Sequence, residues 1–329
     1  MSTYLVSGVA GFIGARLAES LLERGDRVIG VDNLNTAYDI RLKHWRLNRL
    51  TAHPLFTFRW MDISQPGTVE RLGSLLHQQG EMCDAVINMA ARAGVRQSVE
   101  NPWVYLDTNI TGTLNLLEFS RQYGVPKFIQ ASTSSVYGAH ASLPTPEEAD
   151  SSHPLQPYAA SKKGAEALCH VYHYLYHLDV TIFRYFTVYG PAGRPDMVMF
   201  RFVQWISEGR PVRVNGDGDQ MRGFTYIDDI VRGTLAGLKS LGYQIINLGG
   251  HETITINGLI RLMERLIGRD AQVVYRPPHP ADMLANWADV RKAKQLLGWQ
   301  PQVNLEEGVS RLVEWYHRER EWASQVQTE

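Results

Sequence analysis

The sequence predicts an α/β protein: a doubly wound parallel sheet with a smaller C-terminal α/β lobe built onto its edge. Three observations predict it. Short β-type runs alternate with helix-length segments through the first half, three evenly spaced glycines separate the first run from the first helix, and after Gly190 the rhythm loosens. The runs are Tyr4–Ser7, Arg27–Val31, Phe56–Trp60, Ala85–Asn88, Lys127–Ala131 and Val180–Arg184. Helical segments between them include Phe12–Arg24, Val104–Tyr123 and Tyr158–Leu178. Such alternation builds βαβ units, whose parallel strands are covered by helices on both faces. Beyond Gly190, glycine and proline cluster at Gly190–Pro195, Asn215–Gly218 and Pro277–Pro280, with helices expected near Asp228–Leu241, Ile256–Ile267 and Leu305–Ala323. We therefore divide the chain into a sheet domain, 1–183, and a second lobe, 184–329, with the chain free to cross back.

Composition removes several classes of function. A formal net charge of −1 gives no electrostatic reason to bind nucleic acid or an anionic membrane. The two cysteines, Cys83 and Cys169, are too few for a disulfide framework or a zinc cluster and read as small core residues. No run approaches the roughly 20 apolar residues that span a bilayer, and the first strand begins too early to leave room for a signal segment. The expectation is a cytoplasmic protein. His173 and His177 share a helix face, but no carboxylate or cysteine completes a ligand set beside them, so no metal is expected.

The segment Val6–Gly14 places Gly8, Gly11 and Gly14 three apart between strand and helix. Glycines there allow a tight turn, close approach of backbone to a pyrophosphate, and close packing of helix on strand. The helix N-terminus then offers unpaired N–H groups to phosphate. Taken alone, the glycines could simply end a strand. The second strand, however, ends at Asp32, 18 residues past Gly14, where a carboxylate can bind ribose hydroxyls and repel a 2′-phosphate. That favours NAD over NADP. Asp62, ending the third strand, either meets the adenine edge or caps the helix of its Asp-Ile-Ser-Gln segment. Ala90 and Ala91 follow the fourth strand, where small side chains let a dinucleotide lie close.

Tyr158 and Lys162 are four apart at the start of a long helix, so phenol and ammonium share one face. A phenol of pKa about 10 becomes a useful base only with positive charge nearby. Lys162 and a cationic nicotinamide ring would supply that charge. One strand earlier, Ala131–Gly138 forms a hydroxyl-rich turn at the C-terminal end of strand five, where ligands bind in such sheets. Thr133 could there hydrogen-bond the oxygen losing its proton. An isolated Tyr–Lys pair would be an ordinary surface pair; behind a glycine loop, an acidic strand end and a hydroxyl turn, it reads as an acid/base centre.

With these motifs in place the chain resembles, nearly end to end, the extended short-chain dehydrogenase/reductases, a Rossmann-fold superfamily. Within it the similarity is to nucleotide-sugar epimerases, and most closely to UDP-glucuronate 4-epimerases. The residues that carry it are Asp32–Leu50, Asn88–Pro102, Ala131–Gly138 and Phe183–Met197. The resemblance implies oxidation of the sugar C4 hydroxyl, with Tyr158 taking the proton while hydride moves to NAD. It places Phe12, Ile13, Asn33, Ile63, Arg92, Asn109, Ser132 and Tyr185 along the cofactor. Arg96, Val214, Arg222 and Asp282 fall with the nucleotide sugar, Arg222 as phosphate ligand and Asp282 at the uridine ribose.

Related 4,6-dehydratases carry an Asp–Glu pair after the threonine, and related decarboxylases a glutamate two residues on. Here those positions are Ser134 and Ser135, which cannot act as strong acids or bases near pH 7. Epimerisation through a rotated 4-keto sugar remains. In the resembled epimerases Thr133, Ser134, Ser135 and Thr187 would cradle a carboxylate, with Arg194 assisting, whereas UDP-galactose epimerases show asparagine at the Thr187 position. Gly223 stands where the family usually has aspartate, His279 stands near where galactose epimerases place a second phosphate-binding arginine, and Arg92 replaces the glutamine usual there. The expected partner is a UDP-sugar, UDP-glucuronate or UDP-galacturonate, and the resemblance implies a homodimer. Neutral UDP-hexose epimerisation and UDP-glucuronate decarboxylation are the neighbouring alternatives. A noncatalytic NAD-binding regulator is the alternative of another class, disfavoured because a sensor has no need of Tyr158, Lys162 and Thr133 together.

Overall fold

The computed structural model describes residues 1–79, 82–139, 141–250, 252–278 and 285–328. Seven parallel strands form the central sheet, in the order β10-β6-β5-β4-β1-β2-β3. They are β1 (Thr3–Ser7), β2 (Arg27–Asp32), β3 (Phe56–Trp60), β4 (Ala85–Asn88), β5 (Lys127–Thr133), β6 (Asp179–Tyr185) and, from far along the chain, β10 (Tyr243–Leu248). Strand order reverses between β1 and β4, which opens the crevice where an open α/β sheet takes its ligand. Successive side chains go to opposite faces: Tyr4 and Val6 enter one core, and Leu5 between them enters the other.

The second lobe carries β7 (Thr187–Tyr189), β8 (Val212–Asn215), β9 (Met221–Tyr226), β11 (Thr253–Thr255), β12 (Val273–Arg276) and β13 (Ala285–Asn286). β9 pairs with β7, β11 and β13, while β8 pairs with β12. The lobe is joined to the sheet in two ways. β10 pairs with β6 in register Tyr243↔Val180 to Leu248↔Tyr185, so residues 243–248 return to the central sheet. One hydrophobic core also runs without a break from Val6 and Leu17 to Trp315 and Val326.

Three helices pack around the glycine loop and its strands: α1 (Phe12–Glu23), α2 (Ile40–Thr51) and α3 (Thr68–Gln79). The α2 helix starts where the Asp39 carboxylate accepts the Arg41 amide at 3.1 Å. Its other face meets the C-terminal segment, where Trp45 lies edge-on to Trp315 at 5.8 Å and its indole donates to Glu319.

The expected helix Val104–Tyr123 is not uniform. Helix α4 (Val95–Glu100) precedes a short α5 (Trp103–Leu106), a π-helical turn over Asp107–Thr111, and then α6 (Gly112–Gln122). The wider turn brings the Asn109 carboxamide inward, where it bonds the backbone of Arg92 and the Ser161 hydroxyl. The long helix α7 (Pro157–Tyr176) has proline at its start and His177 left-handed (φ 56°) at its end. Cys83 and Cys169 are buried thiols. No helix among the described residues is long and apolar enough to cross a membrane.

Leu17 is fully buried on α1, the helix that carries the glycine loop. Leu17→Ala is expected to cost about 2–5 kcal/mol through lost transfer energy and the cavity left behind. Equilibrium unfolding in urea would measure the change.

Candidate active site

The glycine loop fits a bound dinucleotide on steric grounds. Gly8 adopts φ +69°, and a Cβ there would lie 2.6 Å from the Ala90 amide nitrogen. A Cβ on Gly14 would come within 2.3 Å of the Gly8 carbonyl oxygen. No side chain can enter, so the backbone at the mouth of β1 and β4 stays open to a phosphate. Gly11 is the extended residue immediately before α1, followed by Phe12 and Ile13 in its first turn.

Asp32 ends β2 as expected and is buried. One oxygen accepts the Ala10 amide at 3.1 Å and the other the Leu34 amide at 2.8 Å. Sequence reasoning missed its cationic neighbour: Lys43 of α2, also buried, stands 3.6 Å from the Asp32 carboxylate and donates to Asn35 at 3.2 Å. Arg92 reaches the same Asn35 oxygen at 3.3 Å. Asp62 accepts both the amide and hydroxyl of Ser64 and the Asn33 carboxamide, which hold its carboxyl below the ordinary value although burial opposes them. It therefore closes a local turn and bridges β3 to β2; it does not cap α3, which begins at Thr68. Ile63 is buried against Gly112.

The structure brings the hydroxyl turn and Tyr158 together. Burial pushes the Tyr158 phenol up, against a hydrogen bond shared with Thr133 and the charge of Arg194, both of which pull it down. The Thr133 hydroxyl also accepts the Ser135 amide and contacts the Ser135 hydroxyl, both at 3.2 Å. Ser134 accepts the Asn286 carboxamide at 3.2 Å. Asn286 lies on β13 opposite Arg222 of β9, so the turn is tied to the strand of the expected phosphate ligand. Nothing in the sequence flagged Asn286.

The Lys162 ammonium is buried and donates to the Ala131 carbonyl at 2.8 Å. A second cation, Arg194, also pulls the Tyr158 phenol down, and its guanidinium is paired with Asp196 at 3.1 Å. Burial pushes the Lys162 ammonium down to about 8, against the pull of Glu166.

Two expectations change in detail. The Ser132 hydroxyl turns away from the crevice to Glu166, at 2.6 Å. The Tyr185 hydroxyl is bonded to Thr234 at 2.9 Å, in the core. Glu166, one turn past Lys162, also takes a two-pronged bond from Arg184 at 2.9 and 2.8 Å, and both side chains are buried. Arg184 and Ser132 hold the Glu166 carboxyl below its ordinary value despite burial.

Thr187 stands half-buried on β7, two residues beyond β6; Val214 is buried on β8; Arg96 is exposed on α4. Gly223 has no room for an aspartate, since a Cβ would lie 2.9 Å from both the Gly250 carbonyl and Trp287. Asp282 and His279 lie outside the described residues. His173 bonds the Leu178 carbonyl and packs on Tyr243.

A glycine loop, an acidic second-strand end and a Tyr–Lys helix facing a hydroxyl turn define a Rossmann dinucleotide enzyme with tyrosine acid/base chemistry. The comparisons narrow this. The family model described as GDP-mannose 4,6 dehydratase matches residues 5–312. A UDP-glucuronate 4-epimerase of Thermodesulfobacterium geofontis is 55% identical over 316 residues, 96% of either chain. The crystal structure of a Bacillus cereus UDP-glucuronic acid 4-epimerase with UDP-glucuronic acid and NAD is 37% identical, with a TM-score of 0.88, covering 96% of this chain and 99% of that one. A Thermotoga maritima UDP-glucose 4-epimerase with UDP-glucose is 36% identical, also with a TM-score of 0.88, covering 97% and 99%. The chain belongs to the extended short-chain dehydrogenase/reductase family, among its nucleotide-sugar enzymes.

Lys162 is cationic below about pH 8 and neutral above it. Turnover that depends on its charge is therefore expected to fall as pH rises past about 8. A kcat profile from pH 6.5 to 10 checks this; a flat alkaline limb would remove the lysine from the rate.

Proposed function

We propose that this chain interconverts UDP-glucuronate and UDP-galacturonate through a 4-keto sugar, using tightly held NAD. The observation that carries the reading is the Thr133–Ser135 turn against Tyr158, with Arg194 beside the phenol and no carboxylate at the two positions after Thr133. The 55% identical relative supports the uronic-acid substrate.

When bound, the oxidised nicotinamide supplies the hydride acceptor and a further positive charge near the base. It would be held by the glycine loop, by Asp32 with Lys43, and by Lys162. Tyr158 takes the C4 hydroxyl proton and later returns it, while Thr133 steadies the oxygen between the two. Ser134, Ser135, Thr187 and Arg194 hold the carboxylate by hydroxyl donors and one cation. That grip has a chemical purpose. A 4-keto uronic acid is a β-keto acid and loses CO2 when its carboxylate turns perpendicular to the ketone. Elimination lacks an acid or base at Ser134 and Ser135, so the ketone is reduced again, on either face. A second reading, neutral UDP-hexose epimerisation, is favoured by the likeness to the Thermotoga maritima enzyme.

Incubation with UDP-glucuronate, without added NAD, is expected to yield UDP-galacturonate by chromatography, with neither CO2 nor NADH released. Tyr158→Phe is expected to lower turnover by at least about a hundredfold, the usual contribution of a positioned acid/base group, while leaving NAD bound. Product from UDP-glucose but not UDP-glucuronate would replace the leading reading with the second.

We also place the enzyme in the cytoplasm, where buried free thiols such as Cys83 and Cys169 persist, and read it as a homodimer. Trp103, Leu114, Tyr174 and Leu175, on α5, α6 and α7, are large apolar side chains left exposed, Trp103 by 74% and Tyr174 by 72%. Helices with such faces bury them against another surface. Light scattering is expected to give the mass of two chains, and Tyr174→Glu a single chain.

A further inference from the structure

Arg46 of α2 is 3% exposed, yet among the described residues its hydrogen bonds all go to neutral acceptors. Its guanidinium donates to the Ala10 carbonyl in the glycine loop at 3.1 Å, to Ala192 at 2.6 and 3.1 Å, to Gly193 at 3.3 Å, and to the Tyr38 hydroxyl at 2.7 Å. It also lies over the rings of Phe12 and Tyr38, at 5.9 and 5.6 Å. Three parts of the molecule meet on this one cation: the cofactor loop, helix α2, and the 190–195 loop that carries Arg194.

Two features give the meeting a purpose. The 190–195 loop is not at rest on its own: Ala192 is left-handed at φ +52°, a conformation costly for a residue with a Cβ. The two-pronged bond from Arg46 holds its carbonyl in that turn. Arg194 follows two residues later, close enough for its charge to reach both Tyr158 and Tyr38. A buried guanidinium with only neutral acceptors also leaves its charge uncompensated, which is expensive unless an anion comes near. The glycine loop directly beside it is shaped for a diphosphate, and Lys43, one turn earlier on the same face, serves the ribose end.

We infer that Arg46 is a positioning residue that couples the dinucleotide loop to the Arg194 loop, so that the seated cofactor and the substrate clamp are set by one guanidinium spanning both lobes. The inference rests on the proposed function for the identity of the substrate, but not for the retention of the dinucleotide.

The test separates charge from fork geometry. Arg46→Lys keeps the charge and loses the fork; Arg46→Gln loses both. Both are compared with wild type for NAD retained through gel filtration, for KM and kcat with UDP-glucuronate, and for melting temperature. Arg46→Lys is expected to retain NAD while raising KM at least tenfold and changing kcat less than threefold. Arg46→Gln is expected to lose most of its NAD as well. Tyr38→Phe removes one acceptor without threatening the fold. It is expected to raise KM several-fold, and the Tyr38→Phe/Arg46→Lys double variant to be no worse than Arg46→Lys alone, because both act through one contact. Lowered melting temperature with KM and NAD retention within twofold of wild type would overturn the coupling and leave a purely structural arginine. Multiplicative effects in the double variant would overturn it too, even if the Arg46→Gln protein fails to fold. A wild type that retains NAD but does not turn over UDP-glucuronate would sink the substrate reading, while NAD retention in the variants would still decide the role of Arg46.

Discussion

The site depends on a buried ion pair, Glu166 with Arg184, set behind the residues that face the crevice. Glu166 sits one helical turn behind Lys162 and takes both prongs of Arg184 from β6 and the Ser132 hydroxyl from β5. Two charges removed from water are costly, and they pay only when their remaining bonding capacity is filled. Here it is: Arg184 also donates to the Glu147 carbonyl and lies over the Tyr137 ring at 4.7 Å. The pair thus fixes α7 to β6 and to β5, whose end runs into the hydroxyl turn. Remove Glu166, and Arg184 becomes a buried charge without a carboxylate; remove Arg184, and Glu166 keeps only Lys163 at 3.4 Å and the Ser132 hydroxyl, one turn from Lys162.

From that anchor the order extends outward by hydrogen bonds with little slack. Tyr137, stacked under Arg184, donates to Asn247 of β10, and Asn247 in turn donates to the Thr145 carbonyl. The turn that faces the substrate is therefore braced from the returning strand as well as from α7. Ser134 adds a third brace through Asn286. Residues that perform chemistry are held by residues that do none, which is what reproducible geometry at a reacting carbon requires.

Much of this was legible in the sequence, for physical reasons that differ by element. The βα repeats of the first half announce themselves because short, mostly apolar strands alternate with helix-length segments, as in a parallel sheet covered on both faces. Gly8 and Gly14 are readable because sterics leave no alternative residue. Lys43 and Arg46 were not, since a cation on a helix normally means solvent, and only tertiary contact reveals it as buried. The same reason hid the pairing of Lys162 with the Ala131 carbonyl: spacing on a helix fixes the face, not the χ angles. The π turn at Asp107–Thr111 leaves no mark in the apolar pattern, and Asn286 acts across a separation of 152 residues, beyond the reach of any local motif.

The return of β10 to the edge of β6 also bears on how the protein is made. Until residue 248 has left the ribosome, β6 is an unpaired edge of a largely apolar parallel sheet, and such an edge invites pairing with another nascent chain. The dinucleotide-binding half is thus complete as a site well before it is complete as a sheet. Synthesis must carry it through that interval with its most adhesive strand uncovered, and a fragment ending near residue 183 would be arrested there permanently.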